Sequence, residues 1–158
     1  MRAIFHTNTL ILTGALFLLV ACNDKRIFEE SRKIDQGIWP TGNILDFSPV
    51  ISDTLCGYSI YIDVRNDISY SYSNLYLFLK TRFPNGRIAR DTIECLLAGY
   101  NGKWLGSGSG NVRFNRFLFQ KGIRLPVAGE YRFELEQAMR VEELHGIIDV
   151  GLRIERDN

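Results

Sequence analysis

No apolar stretch in this chain is long enough to cross a bilayer as a helix. The longest, Leu10–Val20, is eleven residues and is interrupted by Thr13 and Gly14, whereas a spanning helix needs roughly 18 or more. Cysteine is scarce, with three in 158 residues, and histidine scarcer, with two. No Cys-x-x-Cys pair or His-rich tract occurs, so no metal site is expected. Charge of one sign is missing too. Nineteen basic side chains against eighteen acidic leave no electrostatic footprint for nucleic acid, and no nucleic-acid partner is expected. Nor does any segment sustain a 3.6-residue apolar period, which argues against long helices and against βαβ crossovers.

What is there begins at the first residue. A short basic head, Arg2, leads into the apolar run, which ends Leu19-Val20-Ala21-Cys22. A short apolar core with a small residue at its exit fits a secretory leader better than an anchor. Leu19 to Cys22 resembles the bacterial lipobox, Leu-x-Ala/Gly-Cys. That resemblance implies cleavage before Cys22, a diacylglycerol on its thiol, and usually an amide-linked third chain. Two or more acyl chains hold a protein to a bilayer stably. The other readings are an ordinary secretory signal with a chance cysteine, or an uncleaved anchor. The expected organisation is a leader at 1–21, a lipidated N-terminus and charged tether at 22–37, and one domain at 38–158.

Loss of Arg2 with the leader leaves eighteen basic and eighteen acidic groups, a formal charge of zero. The remaining body is the size of one domain and large enough to bury a core without staples. Two further cysteines follow, Cys56 and Cys95. An exported setting lets them bridge, and burial as two small hydrophobic thiols is the alternative. Only His145 survives cleavage.

Residues 23–37 carry eight charges and read as a tether, with the alternative that Ile27 and Ile34 join a sheet edge. Trp39-Pro40 and Gly42-Asn43 supply turn chemistry at the domain entrance. Beyond them the period is two. Tyr58, Ile60, Ile62 and Val64 alternate with Ser59, Tyr61, Asp63 and Arg65. Leu75, Leu77 and Leu79 alternate with Tyr76, Phe78 and Lys80. Pro84-Asn85-Gly86 then turns the chain into Ile88–Leu97, which predicts a hairpin. Tyr131, Phe133 and Leu135 form another such set, and Ile148, Val150, Leu152 and Ile154 a last one. A short helical turn is expected within Leu135–Leu144. The fold expected is all-β: an antiparallel β-sandwich, jelly-roll or immunoglobulin-like, with at most a short helical turn.

The Gly-rich run Gly99–Gly110 is not a phosphate loop. Lys103 precedes Trp104 rather than Ser or Thr, and no helix pattern follows. It reads as a flexible hairpin or long loop, with Trp104 as its core pin or as a ligand platform. Tyr70, Tyr72, Tyr76 and Phe78 are placed opposite the leucines. If the leucines face the core, these rings make an outward strip suited to sugar stacking or to a protein hot spot. A strand covered on both faces is the alternative. Glu134, Glu136, Glu142 and Glu143 with Arg140 read as solvated charge, and His145 has no local triad pattern. Asp53-Thr54-Leu55 and Asp91-Thr92-Ile93 resemble the Asp-Ser/Thr-aliphatic O-glycosylation sequon of exported Bacteroidetes proteins, which makes Thr54 and Thr92 candidates. Asp at a turn explains the same residues.

Five phrases, taken in order behind a lipobox, are more specific. They are Tyr58–Asn66 (YSIYIDVRN), Tyr72–Phe78 (YSNLYLF), Gly102–Gly106 (GKWLG), Gly129–Arg140 (GEYRFELEQAMR) and Leu144–Ile154 (LHGIIDVGLRI). Over about residues 28–156 the chain resembles the GldH family of gliding-motility lipoproteins of Bacteroidetes. The resemblance implies a membrane held through the lipid on Cys22, envelope protein partners, and no enzyme activity or cofactor. A carbohydrate- or polymer-binding sandwich is the alternative. Asn23-Asp24 is followed at once by Lys25-Arg26, so the acidic cluster common behind the cysteine of surface-exported lipoproteins is not clean. The expected location is therefore the outer membrane, facing the periplasm.

Overall fold

The computed structural model describes residues 25–157. Cys22 and the leader lie outside them. The chain runs through β1 (Arg26–Lys33), a 3-10 turn (Asp35–Gly37), β2 (Ile38–Pro40), β3 (Leu45–Phe47), β4 (Val50–Ile51) and β5 (Tyr58–Asp67). It continues through β6 (Asn74–Arg82), β7 (Ile88–Leu96), β8 (Val112–Ile123), β9 (Gly129–Glu130), β10 (Arg132–Gln137), β11 (Glu143–His145) and β12 (Ile147–Arg156). Two antiparallel four-stranded sheets result, ordered β1-β12-β5-β8 and β3-β10-β6-β7. Numbered by chain order, their eight strands read 1-8-3-6 and 2-7-4-5. This is the interleaving of two Greek keys that makes a jelly roll. Of the two sandwich types expected, it is the one present.

Period-two patterning builds the core. Tyr58, Ile60, Ile62 and Val64 of β5 face Leu75, Leu77 and Leu79 of β6, with Tyr131, Phe133 and Leu135 beside them, all essentially buried. The β6–β7 hairpin closes where expected. Phe83 N–H donates to Arg87 O at 2.9 Å and Gly86 N–H to Phe83 O at 2.9 Å. Gly86 sits at φ +84°, where a side chain is disfavoured. In β12 the expected alternation slips by one. A bulge between Ile147 and Asp149 buries Ile147 and leaves Ile148 only half-buried, because the extra residue reverses the face of everything before it.

Two expectations need correction. The charged tether is not separate from the domain. Residues 26–33 are the edge strand β1, paired with β12 from Arg26↔Glu155 to Lys33↔Asp149, so the sheet starts well before residue 38. This is the sheet-edge alternative, and charge does not prevent it because an edge strand has one solvated face. Leu135–Leu144 holds no helical turn. β10 runs on to Gln137, bends follow, and β11 begins at Glu143; the 3-10 turn lies at Asp35–Gly37 instead. Of the two readings of Cys56 and Cys95, free thiols are the one present, half-buried and buried respectively. Burial pushes the Cys95 thiol up to about 12, so it behaves as a small hydrophobe.

The outer face of the β1-β12-β5-β8 sheet is an ionic mesh set by register. Glu29 lies opposite Arg153, Asp63 opposite Arg116 and Asp149 opposite Arg65. Arg116 grips Asp63 with two bonds of 2.7 and 2.6 Å and reaches Glu29 at 2.9 Å. The Arg26, Arg153 and Arg116 guanidiniums lower the Glu29 carboxyl from 4.5 to about 2. A depressed folded pKa contributes stability that is fully present above pH 4.5 and lost as pH falls through 2. The side chain is 31% exposed, so solvent screening leaves about 1 kcal/mol or less. Glu29→Gln should therefore lower urea stability slightly at neutral pH and flatten its fall between pH 4.5 and 2. A parent-like acid limb would show that the mesh adds no net stability.

Candidate interaction site

The outer face of the other sheet is different in kind. Because Leu75, Leu77 and Leu79 point inward, Tyr76 and Phe78 point out, at 37% and 53% exposure. Tyr72, just before β6, joins them. These three rings, Thr92 of β7 and the bend Ala138–Val141 line an open groove of about 630 Å³. A smaller hollow of about 390 Å³ adjoins it, shares Phe78 and Thr92, and reaches Lys80, Arg90, Asp91 and Glu136.

The wall of the groove is held by a side chain that the sequence pattern hides. Gln137 is 2% exposed. Its amide donates to Thr41 Oγ1 at 2.9 Å and Val141 O at 3.0 Å, and its Oε1 accepts from Met139 N–H at 2.8 Å. Each bond satisfies a buried polar group that would otherwise be costly. Ala138 N–H donates to Tyr76 O at 2.8 Å, and Tyr76 N–H meets Met139 Sδ at 3.4 Å. The wall is thereby stitched to the strand that carries the rings. At the rim, Asn74 Nδ2 donates to Glu94 Oε1 at 2.7 Å. A hydrogen bond to Glu94 raises the Tyr76 hydroxyl pKa. Gln137, Met139 and Val141 were not anticipated. The one available signal was that Gln137 continues the inward parity of Phe133 and Leu135.

Tyr70 does not stand with the other rings. It is 4% exposed, its hydroxyl donates to Asn74 O at 2.9 Å, and burial raises its pKa well above the usual tyrosine range. It precedes β6 in a loop, where strand parity no longer decides which way a side chain points. Its ring meets Tyr72 edge-on, with centroids 5.6 Å apart, so it supports Tyr72 from within. Trp104 is half-buried against the core, bridged to Ala98, and does not line the groove. The Gly-rich run is thus a loop pinned by a tryptophan.

Thr92 is exposed on β7 and Thr54 half-buried after β4. Asp53 Oδ1 accepts from Leu55 N–H at 2.9 Å and Cys56 N–H at 3.3 Å, the turn role expected for Asp there. His145 Nε2 lies 3.8 Å from Glu143 Oε2, and both side chains are mostly exposed. Glu134 is not simply solvated. It is tucked between Lys80, Arg132 and Arg82, and Lys80 foremost lowers its pKa. No cluster of three or more metal-ligating side chains occurs among the described residues.

Comparison with known proteins agrees with the motifs read from the sequence. The family described as GldH lipoprotein matches residues 26–154, so its first matched residue is the first of β1. A gliding motility lipoprotein GldH homolog of Christiangramia forsetii is 33% identical, with 100% of this chain and 99% of the relative covered. Gliding motility lipoprotein GldH of Flavobacterium johnsoniae is 29% identical, over 94% of this chain and 96% of its own length. Among solved structures, a chain from the structure of infectious bursal disease virus Gx strain matches at 13% identity and TM-score 0.33, over 83% of this chain and 30% of that one. A likeness that low carries no argument. Family match and whole-length relatives together place the chain: it belongs to the GldH lipoprotein family.

Proposed function

We propose that this chain is a lipid-anchored, non-enzymatic component of gliding-motility machinery in the cell envelope. Cys22 holds it to the outer membrane on the periplasmic side, and an envelope protein docks in the groove of Tyr72, Tyr76 and Phe78. The names of the relatives support the link to motility. The observation that carries the docking reading is the contrast between the two outer faces. One is an ionic mesh whose charges already satisfy each other. The other offers exposed aromatics and a methionine, which adapts to a partner's shape.

The test places a photo-reactive phenylalanine analogue at Tyr76 or, on the opposite sheet, at the exposed Leu118, in living cells. Adducts with a motility protein of the envelope should form from position 76 and not from position 118. Adducts mainly from 118, or none from 76, would overturn the docking site. Carbohydrate or polymer binding is the second reading, favoured by the concavity of the groove and its Asn74–Glu94 rim. It predicts retention on immobilised envelope glycan that Tyr76→Ala abolishes, with no protein adduct in cells.

A further inference from the structure

The topology gives the sandwich two ends. β1 starts where β12 finishes, with Arg156 N–H donating to Lys25 O at 2.7 Å. Tyr58, the start of β5, pairs with Arg156 and with Ile123, the end of β8. The β6–β7 turn belongs to the same end, since Gly129 packs on Pro84. This is the base. The opposite end, the crown, carries the 68–73 and 97–111 loops. A ten-residue strand such as β5 separates the two by roughly 30 Å.

Cys22 lies four residues before Arg26. At no more than about 3.6 Å per residue, even a fully extended chain places its Cα within about 14 Å of the base. The crown is out of reach of such a spacer. Counting loops and the terminal residue of each adjoining strand, the base carries Lys25, Arg26, Arg82, Arg87, Arg124, Arg132 and Arg156 against Asp53, Glu130 and Asp157, seven cations to three carboxylates, with the exposed Lys121 two residues inside the end of β8. By the same count the crown carries Lys33, Lys103 and Arg140 against Asp35, Asp67, Glu142 and Glu143, three to four. The base also exposes Leu55 and Val50, at 83% and 68%. The crown exposes apolar side chains too, Tyr100 and Leu105, so chain reach and charge select the base.

We infer that the base lies on the bilayer that holds the anchor, with its basic rim against anionic headgroups and Leu55 and Val50 in the interfacial layer. This rests on the anchor reading above. A short tether makes the second contact intramolecular, so individually weak basic and apolar contacts suffice. The orientation also sets the groove. Tyr76 is six residues from the base end of β6, roughly 20 Å above the membrane and facing sideways from the sheet.

Hydrogen exchange on the lipidated, full-length product tests this. It is reconstituted in phosphatidylcholine vesicles with or without phosphatidylglycerol, and acylation of Cys22 and flotation are checked first. On anionic vesicles, exchange should slow at residues 52–57 and 121–125 and stay unchanged at 98–110. Lys121→Glu with Arg124→Glu should abolish that slowing while the protein still floats. Floated, acylated protein that is unprotected at the base, or protected at the crown, overturns the orientation alone. Protection that survives the charge reversal overturns the headgroup contact. An unacylated Cys22 overturns the anchor, and the orientation with it.

Discussion

Leu19→Ala combined with Cys22→Ser is expected to move the protein from the membrane fraction to the soluble periplasm. Cys22→Ser alone would remove the lipid site and also block processing of a lipoprotein leader, leaving the apolar run attached. Adding Leu19→Ala puts small residues three and one positions before residue 22, the pattern of an ordinary secretory cleavage site. The double variant thus separates lipid from leader. Each buried methylene contributes about 0.8 kcal/mol, and one myristoyl chain alone binds with a constant of only about 10⁴ M⁻¹. Two or three chains are the difference between a permanent and a transient association. Basic rim and exposed leucine alone do not replace them, so release should be nearly complete, with folding unchanged because the first strand starts at Arg26. Radiolabelled acyl incorporation and fractionation check it. A cleaved, unlabelled product still wholly in the membrane fraction would show that something other than lipid holds the domain.

Gly146→Ala should cost about 3 kcal/mol, against about 1 kcal/mol for Gly86→Ala. Both glycines adopt a left-handed backbone, at φ +92° and +84°, so the conformational penalty is shared. A Cβ at Gly86 meets nothing within 4 Å, whereas at Gly146 it lies 2.9 Å from Tyr70 Cα and 3.2 Å from Tyr70 N. Backbone cannot yield as a flexible side chain does. Gly146 also accepts from Asp67 N–H at 2.8 Å and donates to Gly37 O at 2.9 Å, joining β5, the 3-10 turn and β11. For a domain of this size the difference reads as a fall in Tm of roughly 10 °C for Gly146→Ala. Displacing Tyr70 shifts Tyr72, so crosslinking through the groove should weaken as well. Equal melting of the two variants would mean that the crowding is relieved without loss.

The strands with clean alternation, β5, β6, β10 and most of β12, were legible because each buries one face completely. β8 was not. Phe114, Phe117 and Phe119 fall on both parities, none of them fully buried, so period two is blurred by aromatics that are half covered on either face. β1 is ambiguous in the sequence, since an edge strand with polar side chains looks like a linker until its partner is known. Its partner is β12, at the far end of the sequence. Of the groove, Tyr76 and Phe78 are legible from parity. Tyr70 departs from that parity because the strand begins four residues after it, at Asn74. Parity points Gln137 inward, but its role is not legible in sequence because a buried amide is justified only by the three groups it meets. Thr41, Met139 and Val141 come together only in three dimensions.

The pairing of β1 with β12 also has a temporal meaning. Glu29 bonds to Arg153, 124 residues later, and β12 lies between β1 and β5. Neither the first strand nor β5 can complete its ladder until nearly the last residue is available. Contacts of such sequence separation make folding slow. A chain threaded N-terminus first through a translocation channel would therefore stay unfolded for the whole passage and close its sandwich only after its C-terminus emerges.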